Sequence, residues 1–206
     1  ASLLIGQRQC LRDVVFYGWF HDANRLWLHT SNLGFFGSFG IDTEYSASWP
    51  YDSGCEHLYV AGLWVGGIVD GDTLVSTTTY NMEFPPPPDD PVFTIYESAS
   101  GTPGGAKGVD DDSDGSIDED RLDGLDNDGD LLIDEDYAAI SDQMFAYASY
   151  DTTAQWIPSP PDDPHVPMGL DVYVQSFAWA DGFAGDFIGA RYEVTNTSTS
   201  TISDVY

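Results

Sequence analysis

Apolar and polar residues alternate along much of this chain, and that alternation predicts strands. Leu170–Trp179 (LDVYVQSFAW) sets Leu170, Val172 and Val174 on one face. Gln143–Tyr150 (QMFAYASY) alternates in the same way and is rich in aromatics. His57–Val69 (HLYVAGLWVGGIV) is apolar on both alternating faces, the mark of a buried strand. It runs through Asp70-Gly71-Asp72 into the Thr/Val-rich Thr73–Thr79, and Asp-Gly between two such runs predicts a hairpin. Shorter strands are expected over Val14–Phe20, Leu26–Thr30 and Val92–Tyr96. Asp186–Asn196 reaches a Thr197-Ser198-Thr199 turn and returns as Thr201–Tyr206. Helical periodicity is confined to about two weak turns over Tyr137–Met144.

The chain has 206 residues, enough for one sizeable core, and its 6 Trp, 12 Tyr and 11 Phe exclude disorder as the general state. Its 12 prolines and 21 glycines fall at the spacing of turns in an all-β protein. The expected fold is a β-sandwich, jelly-roll or Ig-like, with residues 1–206 forming a single domain. The proline-rich pieces 85–91 and 158–167 read as rigid surface connections.

Charge changes the picture. Six Lys and Arg face 35 Asp and Glu, a formal net charge of -29. Nucleic-acid binding needs a basic face and anionic membranes repel such a chain, so neither is an expected partner. No run of 18 apolar residues is present to span a bilayer as a helix. The acids are also concentrated: residues 110–136 hold 14 acids and one base, Arg121. Such a run self-repels unless a counter-ion holds it.

The run is an internal repeat. Asp110–Asp120 (DDDSDGSIDED) aligns with Asp126–Asp136 (DNDGDLLIDED) at an offset of 16, with seven of eleven positions identical. The spacing suits calcium, a hard cation that takes 6–8 oxygens in a forgiving geometry. Asp110, Asp112 and Asp114 would point at one centre, Gly115 would permit the turn, and Ser116 would offer its carbonyl. Asp118 would ligate directly or through water, and Ile117 would tuck beneath the loop. The second copy offers Asp126, Asp128, Asp130, Asp134 and the Leu132 carbonyl. Asp120 and Asp136, or Asp123 between the loops, are candidates to complete the spheres. About two calcium ions are therefore expected in a segment, 107–137, inserted between two strands.

These loops are not EF-hands of the sensor type. The bidentate Glu expected at position 12 is Arg121 in one loop and Tyr137 in the other. Position 6 of the second loop is Leu131 where Gly is wanted, with Gly129 two residues earlier to relieve the turn. Gly104-Gly105 and Asp123-Gly124 interrupt any flanking helix. The segment resembles the acidic calcium loops of thrombospondin type 3 repeats and dockerins. More widely, GCEHLYVAGLWVGGIVDGDTLVS (54–76), the acidic repeat, DYAAISDQM (136–144) and DFIGARYEVTNTSTSTISDVY (186–206) follow in a familiar order. In that order the chain resembles the N-terminal part of large secreted proteins of environmental Gram-negative bacteria, known mainly by a C-terminal sorting domain. The resemblance implies export and calcium, and no particular activity.

Other signals are thinner. Cys10 and Cys55 would close a loop of about 45 residues if bonded, contributing about 3–4 kcal/mol, or would remain two buried thiols. The start at Ala1 suits a mature exported protein, and the end at Tyr206 suits a fragment or an edge strand that pairs with another copy. His21, His29, His57 and His165 form no zinc or HExxH spacing, and Ser38 lacks a GxSxG elbow. Glu56 and His57 would point to opposite faces of a strand. Trp19, Trp27, Trp49, Trp64, Trp156 and Trp179 would serve a core, an interface or a sugar platform. Asn196-Thr197-Ser198 is a glycosylation sequon, and Asp72-Thr73-Leu74 and Asp151-Thr152-Thr153 offer weaker glycan sites.

The resulting expectation is a secreted, calcium-stabilised structural protein without catalysis: a cell-surface or adhesion component, or a filament subunit that self-associates by strand pairing. A carbohydrate-binding module is the alternative, and a hydrolase the third. A sugar module would show a coplanar row of exposed aromatics; a hydrolase would show a deep pocket with facing carboxylates.

Overall fold

The computed structural model describes residues 18–38, 46–79, 82–85, 95–99, 102, 104–152 and 165–206. Among these the fold is all-β, with no helix. The strands are β1 (Gly18–His21), β2 (Trp27–Ser31), β3 (Phe35–Phe36), β4 (Ala47–Ser48), β5 (Ala61–Gly62) and β6 (Trp64–Val69), followed by β7 (Asp72–Thr77), β8 (Tyr96–Ala99), β9 (Gln143–Asp151), β10 (Leu170–Ala178), β11 (Ile188–Asn196) and β12 (Ile202–Ser203). They form three antiparallel sheets packed as a β-sandwich: β1-β2-β3-β5 with β4 beside β2, β11-β10-β9-β8, and β12-β6-β7.

The longest sheet follows directly from alternation. On β10, Leu170, Val172 and Val174 turn to one face and are at most 3% exposed. They join Val65, Phe84, Ile95, Phe145, Tyr147 and Met168 in the main core, with Leu74, Tyr192 and Ile202 packed against it. Each such buried side chain contributes about 1.5–3 kcal/mol. The opposite face of the same sheet is also covered. There Met144, Ala146 and Phe177 pack against Leu122 and Tyr137, which come from the acidic segment between β8 and β9. At the third contact, Gln143 accepts from the Asp22 amide at 2.9 Å and donates to the Phe20 carbonyl at 3.2 Å, tying β1 to β9.

The Asp-Gly hairpin forms as a two-residue loop. Asp70 (φ 52°) and Gly71 (φ 96°) both take positive φ, the type I′ turn whose twist matches its strands. The expected single strand over His57–Val69 is instead broken at Leu63. β5 pairs with β3 in one sheet and β6 pairs with β7 and β12 in another, so the chain changes sheets there. Trp64 consequently stands exposed on β6. The segment after Ser198 does not fold back on β11. β12 pairs with β6, and Tyr206 exchanges backbone hydrogen bonds with Gly66. Two glycines make that approach possible: a Cβ on Gly66 would lie 2.4 Å from the Tyr206 ring, and one on Gly67 2.6 Å from Ile202.

The weak helical signal at Tyr137–Met144 gives no helix; Ala139 bridges Ala106, and β9 begins at Gln143. Of the shorter expected strands, β2 lies over Leu26–Thr30, and β1 and β8 start late, at Gly18 and Tyr96. Val14–Tyr17 and Val92–Thr94 lie outside the described residues, as do Cys10 and Trp156. Cys55 is exposed, not buried, and no cysteine among the described residues is bonded to it.

Candidate metal centre

The acidic repeat of the sequence is a repeat of backbone conformation. Positive φ recurs at an offset of 16 in four pairs: Gly108 and Gly124, Ser113 and Gly129, Gly115 and Leu131, Asp118 and Asp134. The hydrogen bonds recur with it. Asp110 accepts from the Gly115 amide (3.2 Å) and Asp126 from the Leu131 amide (3.1 Å). Asp112 accepts from Asp114 and Asp128 from Asp130, each at 3.0 Å. Asp114 accepts from the Ser116 amide (2.6 Å) and Asp130 from the Leu132 amide (2.7 Å). Five of these six carboxylates thus spend one oxygen closing a local turn and keep the other for the centre; Asp126 accepts with both, Oδ1 from the Gly129 amide at 2.6 Å and Oδ2 from the Leu131 amide.

The carboxylates converge. Asp110, Asp112 and Asp136 place oxygens within 4.8 Å of one another, as do Asp126, Asp128 and Asp130. Asp120 joins Asp128 and Glu135, and Asp112 and Asp114 join Glu119 and Asp128. Eight of the twelve expected positions contribute here by carboxylate: Asp110, Asp112, Asp114, Asp120, Asp126, Asp128, Asp130 and Asp136.

 The other four expected positions, Ser116, Asp118, Leu132 and Asp134, do not enter these groups. Ser116 and Leu132 close turns through their amides. Both oxygens of Asp118 accept from the Gly108 amide, and those of Asp134 accept from the Asp123 and Gly124 amides, so these residues staple each loop to the turn before it.

The groups also include Glu119 and Glu135, which the loop spacing does not single out. The signal was present, since both occupy position 10 of the repeat and are identical, but the spacing rule for a single loop assigns that position no role. Ile117 does not tuck beneath its loop; it and Ile133 are more than half exposed, because carboxylates fill the inward side.

Electrostatics mark the centre as a place that demands positive charge. Asp136 is 1% exposed, and neither of its carboxylate oxygens has a hydrogen-bond partner. Asp110 Oδ1, Glu119 Oε2, Asp120 Oδ2 and Glu135 Oε2 are likewise buried without partners. A buried charge without partners is costly, so such a group needs a cation or a proton. Loss of solvent and repulsion from Asp136, Asp114 and Asp112 push Glu119 up to about 7. Loss of solvent, with Asp120 and Asp130 nearby, does the same to Glu135. The donor set is carboxylate throughout, which fits a hard cation and not a soft one.

The centre is fastened to the sheet. Tyr137, directly after the second repeat, is 2% exposed and donates to Ser98 on β8 at 2.8 Å. Tyr173 on β10 donates to the Leu122 carbonyl at 3.2 Å. Arg121 lies over the Tyr173 ring and reaches Glu193 on β11 at 3.0 Å.

Elsewhere, Glu56 accepts from the Ser46 and Ala47 amides while His57 bonds the Trp49 carbonyl, so the two do not act on one another. Buried His165 sits between Asp151 (2.6 Å) and Glu83 (3.4 Å), and Ser76 donates to Asp151, not to the imidazole. Surface aromatic pairs among the described residues include Trp27 against Tyr51, tilted by 33°, Trp179 against Phe187, tilted by 47°, and Trp49 against His57, edge-on at 67°. Thr73, Thr152, Thr197 and Ser198 line one groove between the β6–β7 hairpin and the start of β10. No helix among the described residues is long and apolar enough to cross a membrane. Comparison with protein-family models, curated proteins and solved structures returns no match.

Proposed function

We propose that this is a secreted, calcium-stabilised structural protein of a bacterial surface or extracellular filament, in which about two calcium ions lock the acidic segment over one face of the β8–β11 sheet. The observation that carries the reading is Asp136: a carboxylate 1% exposed, without hydrogen-bond partners, amid further carboxylates. Calcium is favoured over magnesium because the oxygens are numerous and irregularly disposed, whereas magnesium demands a near-ideal octahedron and keeps its waters. Millimolar calcium outside cells would neutralise part of the run and order it, coupling metal binding to local folding. The edge strand β11, nine residues long and carrying the exposed Val194, supplies a template for pairing with a second copy. Ile117, Leu125, Leu131 and Ile133, all exposed on the acidic segment, add apolar surface suited to contact between subunits.

The test is a calcium titration by calorimetry joined to thermal melts in calcium and in chelator. Calcium at 100 times its Kd should stabilise by about 2.7 kcal/mol per ion, seen as a higher Tm. A melt that chelator leaves unmoved, with no heat of binding, overturns the reading.

A further inference from the structure

The two repeats do not build two separate cages. Asp136 belongs to the second repeat, yet its oxygens lie with those of Asp110 and Asp112 in the first. Asp120 belongs to the first repeat, yet it lies with Asp128 and Glu135 in the second. Backbone pairing explains the exchange. The Asp120 amide donates to the Asp136 carbonyl at 3.1 Å, and Asp120 and Tyr137 form a parallel bridge. The ends of the repeats therefore run side by side, and their eleventh-position side chains reach across. The third-position aspartates sit between the cages: Asp112 groups with Asp130 and Glu135, and Asp128 groups with Asp112, Asp114 and Glu119. Independently of this clustering, Asp136 is buried and both its oxygens lack partners, as does Asp120 Oδ2.

We propose that the repeats form one binuclear calcium centre with exchanged ligands. Asp136 completes the first repeat's cage, Asp120 completes the second's, and Asp112 and Asp128 serve both ions. This rests on the calcium reading above. A carboxylate has two oxygens and about four acceptor positions, enough to face two cations. The first ion to bind fixes the backbone of both repeats and relieves repulsion at the second position, so binding is cooperative.

The experiment is calcium calorimetry on the full chain, with far-UV circular dichroism as a check on the sheets. In a D126N/D130N background, separate cages predict one ion left at the first repeat, indifferent to Asp136. Exchange predicts either that no ion remains while the dichroism is unchanged, or that adding D136N weakens the remaining ion about ten-fold or more. The mirror background D110N/D114N with D120N added gives the same readout if the first variant fails to fold. A remaining ion that keeps its affinity when the crossing aspartate is removed overturns the exchange while leaving calcium binding intact. A wild-type chain that binds no calcium removes both readings.

Discussion

At the scale of single residues, the second loop carries a visible strain. Leu131 takes φ 83° where its counterpart is Gly115 at 105°, and its side chain is 88% exposed, so nothing is gained from packing. A left-handed non-glycine residue costs about 1–2 kcal/mol. Leu131→Gly is therefore expected to stabilise the protein by about 1 kcal/mol after the added freedom of the unfolded chain is offset, raising Tm by calorimetry. An unchanged or lower Tm counts against the strain.

Two buried histidines set opposite pH limits. His21, bonded to Ser176 at 2.7 Å, is lowered by burial to about 4. It is neutral in the fold, so its contribution is present above its unfolded value near 6.5 and is lost as pH falls toward 4, by up to about 3 kcal/mol. His165 is penalised by burial, but Asp151 and Glu83 outweigh this and raise it. Its contribution is full below about 6.5 and lost as pH rises through the folded value. Melts across pH should show His21→Gln flattening the acid limb and His165→Gln the alkaline one. Parallel curves for wild type and variants would refute the assignment.

At the scale of elements, close backbone approach decides which strands meet. Nothing in the alternation of Thr201–Tyr206 distinguishes β11 from β6 as its partner, and hairpin logic favours the nearer strand in sequence. The bare surface of Gly66 and Gly67 turns the chain toward β6. Gly66→Val would drive a side chain into the Tyr206 ring at a cost of about 1–3 kcal/mol. Hydrogen exchange should then accelerate at the amides of Ile202 and Tyr206; unchanged protection would mean that the glycine is not what admits the strand. The long strands β9 and β10 were legible because their alternation is unbroken. The break in His57–Val69 is hidden because a run that is apolar on both faces does not show where it changes sheets.

At the scale of the whole molecule, the central strands β9 and β10 are covered on both faces, on one by the sandwich core and on the other by Leu122 and Tyr137 of the acidic segment. The candidate metal centre is thus placed beside the cover of β9 and β10. Growth by strand addition at β11 would leave that cover undisturbed. In calcium, scattering intensity is expected to rise with concentration as copies pair, and Val194→Lys, a charge on the edge strand, is expected to suppress the rise. A wild-type chain that stays monomeric at high concentration defeats the filament version.

The sequence by itself determined the β class, the longest strands, the Asp-Gly hairpin and the twin carboxylate ladders, because each depends on residues near one another along the chain. Only the tertiary structure decided that Asp120 and Asp136 cross between repeats, that Glu119 and Glu135 join them, and that β12 docks on β6. Those outcomes depend on which backbones can approach closely in space, and a local pattern carries no record of that distance.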